Sequence, residues 1–80
     1  MTPEERIAHR FHWTEAQAVC RLWRAEVGRL PRAHEARIAV LTERYGLARM
    51  RSAVLATRDA GLRRTPARWE FFLALFCEVP

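Results

Sequence analysis

The sequence predicts an all-α protein, a compact bundle of four to five short helices joined by short loops. Half of the 80 residues are hydrophobic, which is enough for a packed core, and only three are glycine. Ala, Leu, Arg and Glu, which favour helices, dominate the composition. Apolar residues recur at helical spacing, and no segment shows the alternation of a strand. We therefore expect one helical domain over residues 1–80.

The N-terminal third of the chain predicts two helices. Thr2-Pro3 is a typical helix start, and the first helix should end near Phe11, within residues 1–12. Thr14 and Gln17 repeat the capping-box pattern, which indicates that the main bundle begins at residue 13. The second helix should run over residues 15–27 and end at Gly28.

Glycine and proline divide the rest of the chain into three helices. The third helix should begin at Pro31 or Arg32 and end at Tyr45-Gly46. The fourth should follow at once from Leu47 and close at Gly61, and the fifth should begin at Thr65-Pro66. Residues 78–80 are expected to be a frayed end.

The last helix is the most apolar segment of the chain and should form the centre of the core. Its apolar face has the spacing i, i+3, i+4, i+7 and consists of Trp69, Phe72, Leu73 and Phe76. Phe71 and Leu75 fall beside that face. Because a core this small may leave aromatic residues exposed, Phe71 and Leu75 are the predicted contacts of a homodimer.

The cysteines and histidines do not form a pattern typical of an enzyme or a metal site. His9 and His12 have a spacing that can chelate a metal, but no third ligand follows from the sequence, and we expect surface histidines. Cys20 and Cys77 are predicted to be buried thiols rather than a disulfide. A pairing of either cysteine with His34 is formally available for catalysis. The prediction is a protein without enzymatic activity, cofactor or metal.

The charged residues point to a polyanionic partner. All fourteen basic residues are arginine, and the net charge is +5. Arg58, Arg63, Arg64 and Arg68 surround the turn into the last helix, where the helix N-terminus adds N–H donors. These groups predict a phosphate site, and Trp69 could stack on a base if it is exposed. In the alternative, Trp69 belongs to the core and the arginines form a solvated edge paired with glutamates.

Several segments follow a common order: Glu26 and Gly28 before a break, an acidic helix that ends in Tyr45-Gly46, an apolar-centred helix, then a basic turn and a Trp69-led helix. In this order residues 22–73 resemble the C-terminal helical module of DnaD-type primosomal and phage replication proteins. Trp69 stands where that family usually has Tyr, and the family's later Trp is absent. The resemblance implies binding to DNA and to replication partners such as a helicase or its loader.

Two functions are therefore predicted for a cytoplasmic protein of phage or mobile-element type. The first is a small DNA-associated module of the replication or primosome kind, which binds phosphate through the arginines before the last helix. The alternative is a protein-interaction or inhibitor module without nucleic-acid contact, homodimeric in its simplest form. Neither function involves a membrane, because the longest apolar run is far shorter than the roughly 20 residues that span a bilayer.

Overall fold

The computed structural model describes the backbone of residues 3–62 and 65–78, and the side chains of residues 14–62 and 66–78. In these ranges the chain forms four helices and no strand: α1 (Pro3–Glu26), α2 (Arg32–Tyr45), α3 (Leu47–Asp59) and α4 (Thr65–Ala74). The predicted all-α bundle with short loops is confirmed. The bounds of α2 and α3 also agree with those predicted from Pro31, Gly46 and Gly61.

The N-terminal third is one continuous helix, so the predicted end near Phe11 and restart at Thr14 are wrong. At 1.5 Å per residue, the 24 residues of α1 span about 36 Å, nearly the whole 40 Å long dimension of the molecule. No glycine or proline lies between Pro3 and Gly28. A threonine inside a helix costs about 0.7 kcal/mol or less relative to alanine, which does not interrupt the hydrogen-bond ladder.

A tight turn ends α1. The backbone N–H groups of Val27 and Gly28 both donate to the carbonyl of Trp23, at 2.7 and 2.9 Å. Gly28 has a φ of +143°, which residues with a Cβ rarely adopt. The Trp23 indole N–H then donates to the carbonyl of Arg29 at 3.1 Å, so the same tryptophan holds both sides of the turn.

The core draws large side chains from all four helices. The fully buried hydrophobic residues include Val19 and Trp23 of α1, Ile38 and Leu41 of α2, Met50 and Val54 of α3, and Phe72 and Leu73 of α4. Two buried threonines, Thr42 and Thr57, donate to the carbonyls four residues earlier, at 2.7 and 2.8 Å. The core is therefore apolar, and its two buried hydroxyl groups have hydrogen-bond acceptors.

Helix α4 meets the bundle largely through aromatic rings. The predicted apolar face is buried as expected, from Trp69 to Phe76. The Trp23 ring contacts those of Trp69 and Phe72 edge to face, with centroids 5.6 and 5.2 Å apart. Among the described helices, the α4 backbone comes close to α3 alone. The rings therefore set the separation of α4 from α1 and α2.

Both cysteine thiols are free. Cys20 is buried as predicted, whereas the prediction that Cys77 is buried is wrong. Cys77 lies in the turn after α4, with a φ of +57°, and its side chain is exposed.

Candidate functional site

Two members of the predicted arginine cluster contact the C-terminal end of α1. Arg58 donates from Nη1 to Glu26 Oε2 and from Nε to Asp59 Oδ1, both at 2.9 Å. These hydrogen bonds, Glu26 first and Asp59 second, raise the pKa of Arg58. Arg68 donates from Nη1 to the carbonyl of Val27.

The Arg68 guanidinium therefore lies at the carbonyl end of a helix, where a positive charge is favourable. It also lies against Gly28, since a Cβ at that position would be 2.9 Å from Nη1. Arg63 and Arg64 lie outside the described residues, as does the side chain of the predicted cap Thr65. Of the predicted phosphate ligands, the structure thus places Arg58 beside two carboxylates and directs Arg68 to a backbone carbonyl.

Trp69 is a core residue with 7% of its surface exposed. The ring of His34 covers it face to face, and the Phe72 ring lies against it with centroids 5.4 Å apart. A nucleic-acid base could stack on Trp69 only if His34 moved away. Burial lowers the pKa of His34, and its Nδ1 is buried without a hydrogen-bond partner among the described residues. His34 is therefore neutral at pH 7 and contributes a flat, apolar contact.

An open apolar groove of about 380 Å³ separates α2 from α4. Its lining consists of Ala33, His34, Ala36, Arg37 and Val40 from α2, and Trp69 and Leu73 from α4. Val40 is 49% exposed, the highest value among the large hydrophobic residues described. Sequence reasoning treated Val40 and Ala36 as flanks of the buried stripe. The available signal was the second apolar series of α2, in which residues 33, 36 and 40 recur at i, i+3, i+7.

The predicted dimer contacts lie on another side of α4. Leu75 is 40% exposed and Phe71 is half-buried. Residues two positions apart on a helix point about 200° away from each other, so Phe71 and Leu75 face away from Trp69 and Leu73. The groove and the Phe71–Leu75 surface are therefore separate apolar surfaces.

Glu78 is held by three donors of α2, so the predicted frayed end is wrong for this residue. Its Oε1 accepts from Arg44 Nη1 at 2.5 Å and from the Tyr45 hydroxyl at 3.0 Å, and its Oε2 accepts from Arg37 Nη2 at 3.2 Å. The Tyr45 hydrogen bond and the two arginines lower the pKa of Glu78. The partners are 33 to 41 positions away in the chain, so no local sequence signal could reveal this contact.

A smaller pocket of about 170 Å³ surrounds Cys20. Arg24, which lines it, pairs with Glu35 across α1 and α2. Burial raises the pKa of the Cys20 thiol, and the charge of Arg24 opposes this only in part. A thiol of raised pKa is a poor nucleophile at neutral pH. In the described part of the chain, no three His, Cys, Asp or Glu side chains are grouped to hold a metal ion.

Comparisons with protein-family models, curated proteins and solved structures find no match for this chain. The DnaD-type resemblance therefore stays a prediction. None of the helices in the described ranges is both long and apolar enough to cross a membrane. Function must accordingly be argued from the groove, the paired arginines and the Glu78 contacts.

Proposed function

We propose that the chain is a non-enzymatic protein-interaction module whose α2–α4 groove binds a helical segment of another protein. The observation that carries the proposal is the open apolar groove itself, with Trp69 and Leu73 on one wall and half-exposed Val40 on the other. Exposed apolar surfaces bordered by polar residues are typical of protein-interaction sites. The two free thiols suit a reducing cytoplasm.

A helix is the segment best suited to this groove. Its walls are themselves helices, and Ala33 and Ala36 are small enough to let a third backbone approach α2 closely. A docked helix would present apolar anchors at i, i+3, i+4 and i+7 along the groove. The volume of about 380 Å³ lies within the range of about 300–1,000 Å³ that is usual for binding pockets.

The His34–Trp69 stack gives the groove a firm wall. Trp69 is wedged against Trp23 and Phe72 on its inner side, and His34 covers one ring face. A side chain that is already ordered loses little entropy when a partner binds. Tryptophan is also among the residues that most often dominate the binding energy of an interface.

The proposal is tested with helical peptides of sixteen residues, selected from a display library against the parent protein. Val40→Glu or Ala36→Glu places a carboxylate inside the apolar contact and should weaken binding at least tenfold. Leu75→Glu is the matched control, because it adds the same charge at an exposed apolar residue on another side of α4 and should leave affinity within twofold. Circular dichroism should show the parent helix content in each variant.

Peptides that bind Val40→Glu and Ala36→Glu as tightly as the parent would contradict the groove as the binding site. A library that yields no binder to the parent would contradict the proposal as a whole. Isothermal titration calorimetry measures the affinities in both cases.

Homodimerisation is the version of the interaction hypothesis that uses Phe71 and Leu75. Sedimentation equilibrium of the parent and of Leu75→Glu measures it directly. A parent dimer that dissociates in Leu75→Glu supports this contact, and a parent that is monomeric at high concentration contradicts it.

DNA association is the second candidate, and a specific observation favours it. Arg21, Arg29, Arg32 and Arg51 are exposed, and no carboxylate among the described side chains pairs with them. With a net charge of +5, such a surface attracts phosphate. Binding should be micromolar or weaker and should fall steeply with salt, because each neutralised phosphate releases counterions.

The DNA candidate is tested with Arg63→Ala/Arg64→Ala, which leaves the Arg68–Val27 hydrogen bond intact. If this turn contacts phosphate, the double variant binds an oligonucleotide several-fold more weakly and with a shallower salt dependence. Arg21→Ala/Arg51→Ala makes the same change of charge elsewhere and is the control. Equal binding by the parent and the Arg63/Arg64 variant would contradict a phosphate site at this turn.

A further inference from the structure

Three donors of α2 converge on a single carboxylate. Arg37, Arg44 and Tyr45 occupy positions i, i+7 and i+8, which places them on one side of the last turns of the helix. All three donate to Glu78, at distances of 3.2, 2.5 and 3.0 Å. We call these three residues the α2 donor site. Its partner, Glu78, comes from the segment after α4 rather than from α2.

Positive charge at the donor site exceeds the negative charge that fills it. Arg49 adds a third guanidinium, which lies 4.7 Å from the centroid of the Tyr45 ring and 5.2 Å from that of Phe76. Three arginines thus face the single charge of Glu78. A group with more charge and more oxygen atoms than a carboxylate would match this set better.

We propose that the α2 donor site binds a phosphate group and that Glu78 is its built-in competitor. Arginine forks and a hydroxyl donor are the groups that recognise phosphate oxygens in proteins. A carboxylate ligand would only reproduce the contacts that Glu78 already makes. Because Glu78 is tethered, it competes at an effective concentration of the order of millimolar. A phosphate brings an extra oxygen and a greater charge.

The site is distinct from the groove of the proposed function. Arg37 borders both, but Arg44, Tyr45 and Glu78 are not part of the groove lining. It is also distinct from the arginines predicted at the turn before α4. Failure of either earlier hypothesis therefore leaves this inference standing or falling on its own test.

The test measures binding of inorganic phosphate to the parent, Glu78→Gln and Glu78→Ala by amide chemical-shift titration. Neutralising Glu78 should lower the Kd for phosphate at least tenfold, with the largest shifts at the amides of residues 37, 44 and 45. Glu43→Gln is the matched control: it lies on the same helix, is exposed, and changes the net charge equally without touching the donor site. Glu43→Gln should change the Kd less than twofold.

Adding Arg44→Gln to Glu78→Gln should abolish the gained affinity. Glu78→Gln keeps the size of the side chain, so the segment after α4 retains its packing even if Glu78→Ala loosens it. Equal phosphate affinity in the parent, Glu78→Gln and Glu43→Gln would overturn the proposal, as would a gain that survives Arg44→Gln.

A second titration with a short thymidine oligonucleotide distinguishes the source of the phosphate. Tighter binding of the oligonucleotide by Glu78→Gln, lost with Arg44→Gln, assigns the site to phosphodiesters of a nucleic-acid strand. A response to inorganic phosphate alone assigns it to free phosphate or a phosphate monoester.

Discussion

The ring of His34 lies flat on the ring of Trp69, with centroids 3.9 Å apart and planes 3° from parallel. The contact joins α2 to α4 at the base of the groove, where the α2 and α4 backbones are not close neighbours. It places a titratable ring inside a packing contact. Stability and groove geometry therefore both depend on the charge state of one histidine.

Acidification should destabilise the protein through His34. Burial lowers its pKa below the ordinary 6.5, so the unfolded chain binds a proton more readily than the folded chain. The contribution of neutral His34 is fully present above pH 6.5 and declines as the pH falls toward the folded pKa. His34→Phe keeps a ring on Trp69 without titrating, and its free energy of unfolding should fall less between pH 7 and 5.

Urea denaturation of the parent and His34→Phe at a series of pH values measures this difference. His9 and His12 are present in both proteins, so their titration cancels in the comparison. If the parent instead gained stability relative to His34→Phe on acidification, a cation–π contact with Trp69 would outweigh burial and the prediction would be wrong.

Trp69→Ala should be among the most destabilising single changes in the chain. The substitution removes the contacts with Trp23, Phe72 and His34 and leaves a cavity, for which a loss of about 3–5 kcal/mol is typical. Leu75→Ala, at an exposed position, should cost less than about 1 kcal/mol. Similar losses in the two variants by chemical denaturation would contradict the assignment of Trp69 to the core.

Thr14→Ala separates a continuous α1 from two helices by the sign of its effect. In the interior of a helix, alanine is favoured over threonine by about 0.7 kcal/mol or less, so the variant should be slightly more stable. At an N-cap the same substitution would cost about 1 kcal/mol. Thermal denaturation measures the difference, and a lowered Tm would favour a helix that restarts at Thr14.

Gly28→Ala should destabilise more than Gly61→Ala. Both glycines have positive φ, but an added Cβ meets the Arg68 guanidinium at Gly28 and open space at Gly61. Displacing Arg68 also breaks its hydrogen bond to Val27, so the extra loss should be about 1 kcal/mol or more.

A double-mutant cycle with Arg68→Ala tests the origin of that extra loss. In the Arg68→Ala background the obstruction is gone, and Gly28→Ala should then cost about as much as Gly61→Ala. An unchanged cost in this background would mean that backbone strain alone, rather than the contact with Arg68, accounts for the effect.

Local periodicity predicted most of the fold. The buried face of α4 and the bounds of α2 and α3 follow from apolar spacing and from glycine or proline at the breaks, which act within a few residues. The break near Thr14 failed for the opposite reason. A capping pattern marks where a helix can begin, but the chain needs a residue that interrupts the preceding helix, and none lies between Pro3 and Gly28.

The candidate sites depended on contacts between distant residues, and the sequence revealed little of them. The groove exists because aromatic rings hold α4 away from α2, a distance that no local pattern encodes. Arg58 and Arg68 were recognised as a basic pair, but their partners Glu26 and Val27 lie 32 and 41 positions away. The contacts of Glu78 are equally remote in the chain.

Aromatic rings, rather than backbone proximity, fix where α4 lies relative to α1 and α2. A bulky planar ring has a fixed thickness and width, whereas an aliphatic side chain can bend to fill a gap. Exchanging Trp23 or Phe72 for a leucine would let α4 tilt inward and narrow the opening beside Val40. Ring dimensions in the interior therefore control which outside side chain can enter, so changes far from the opening can alter its selectivity.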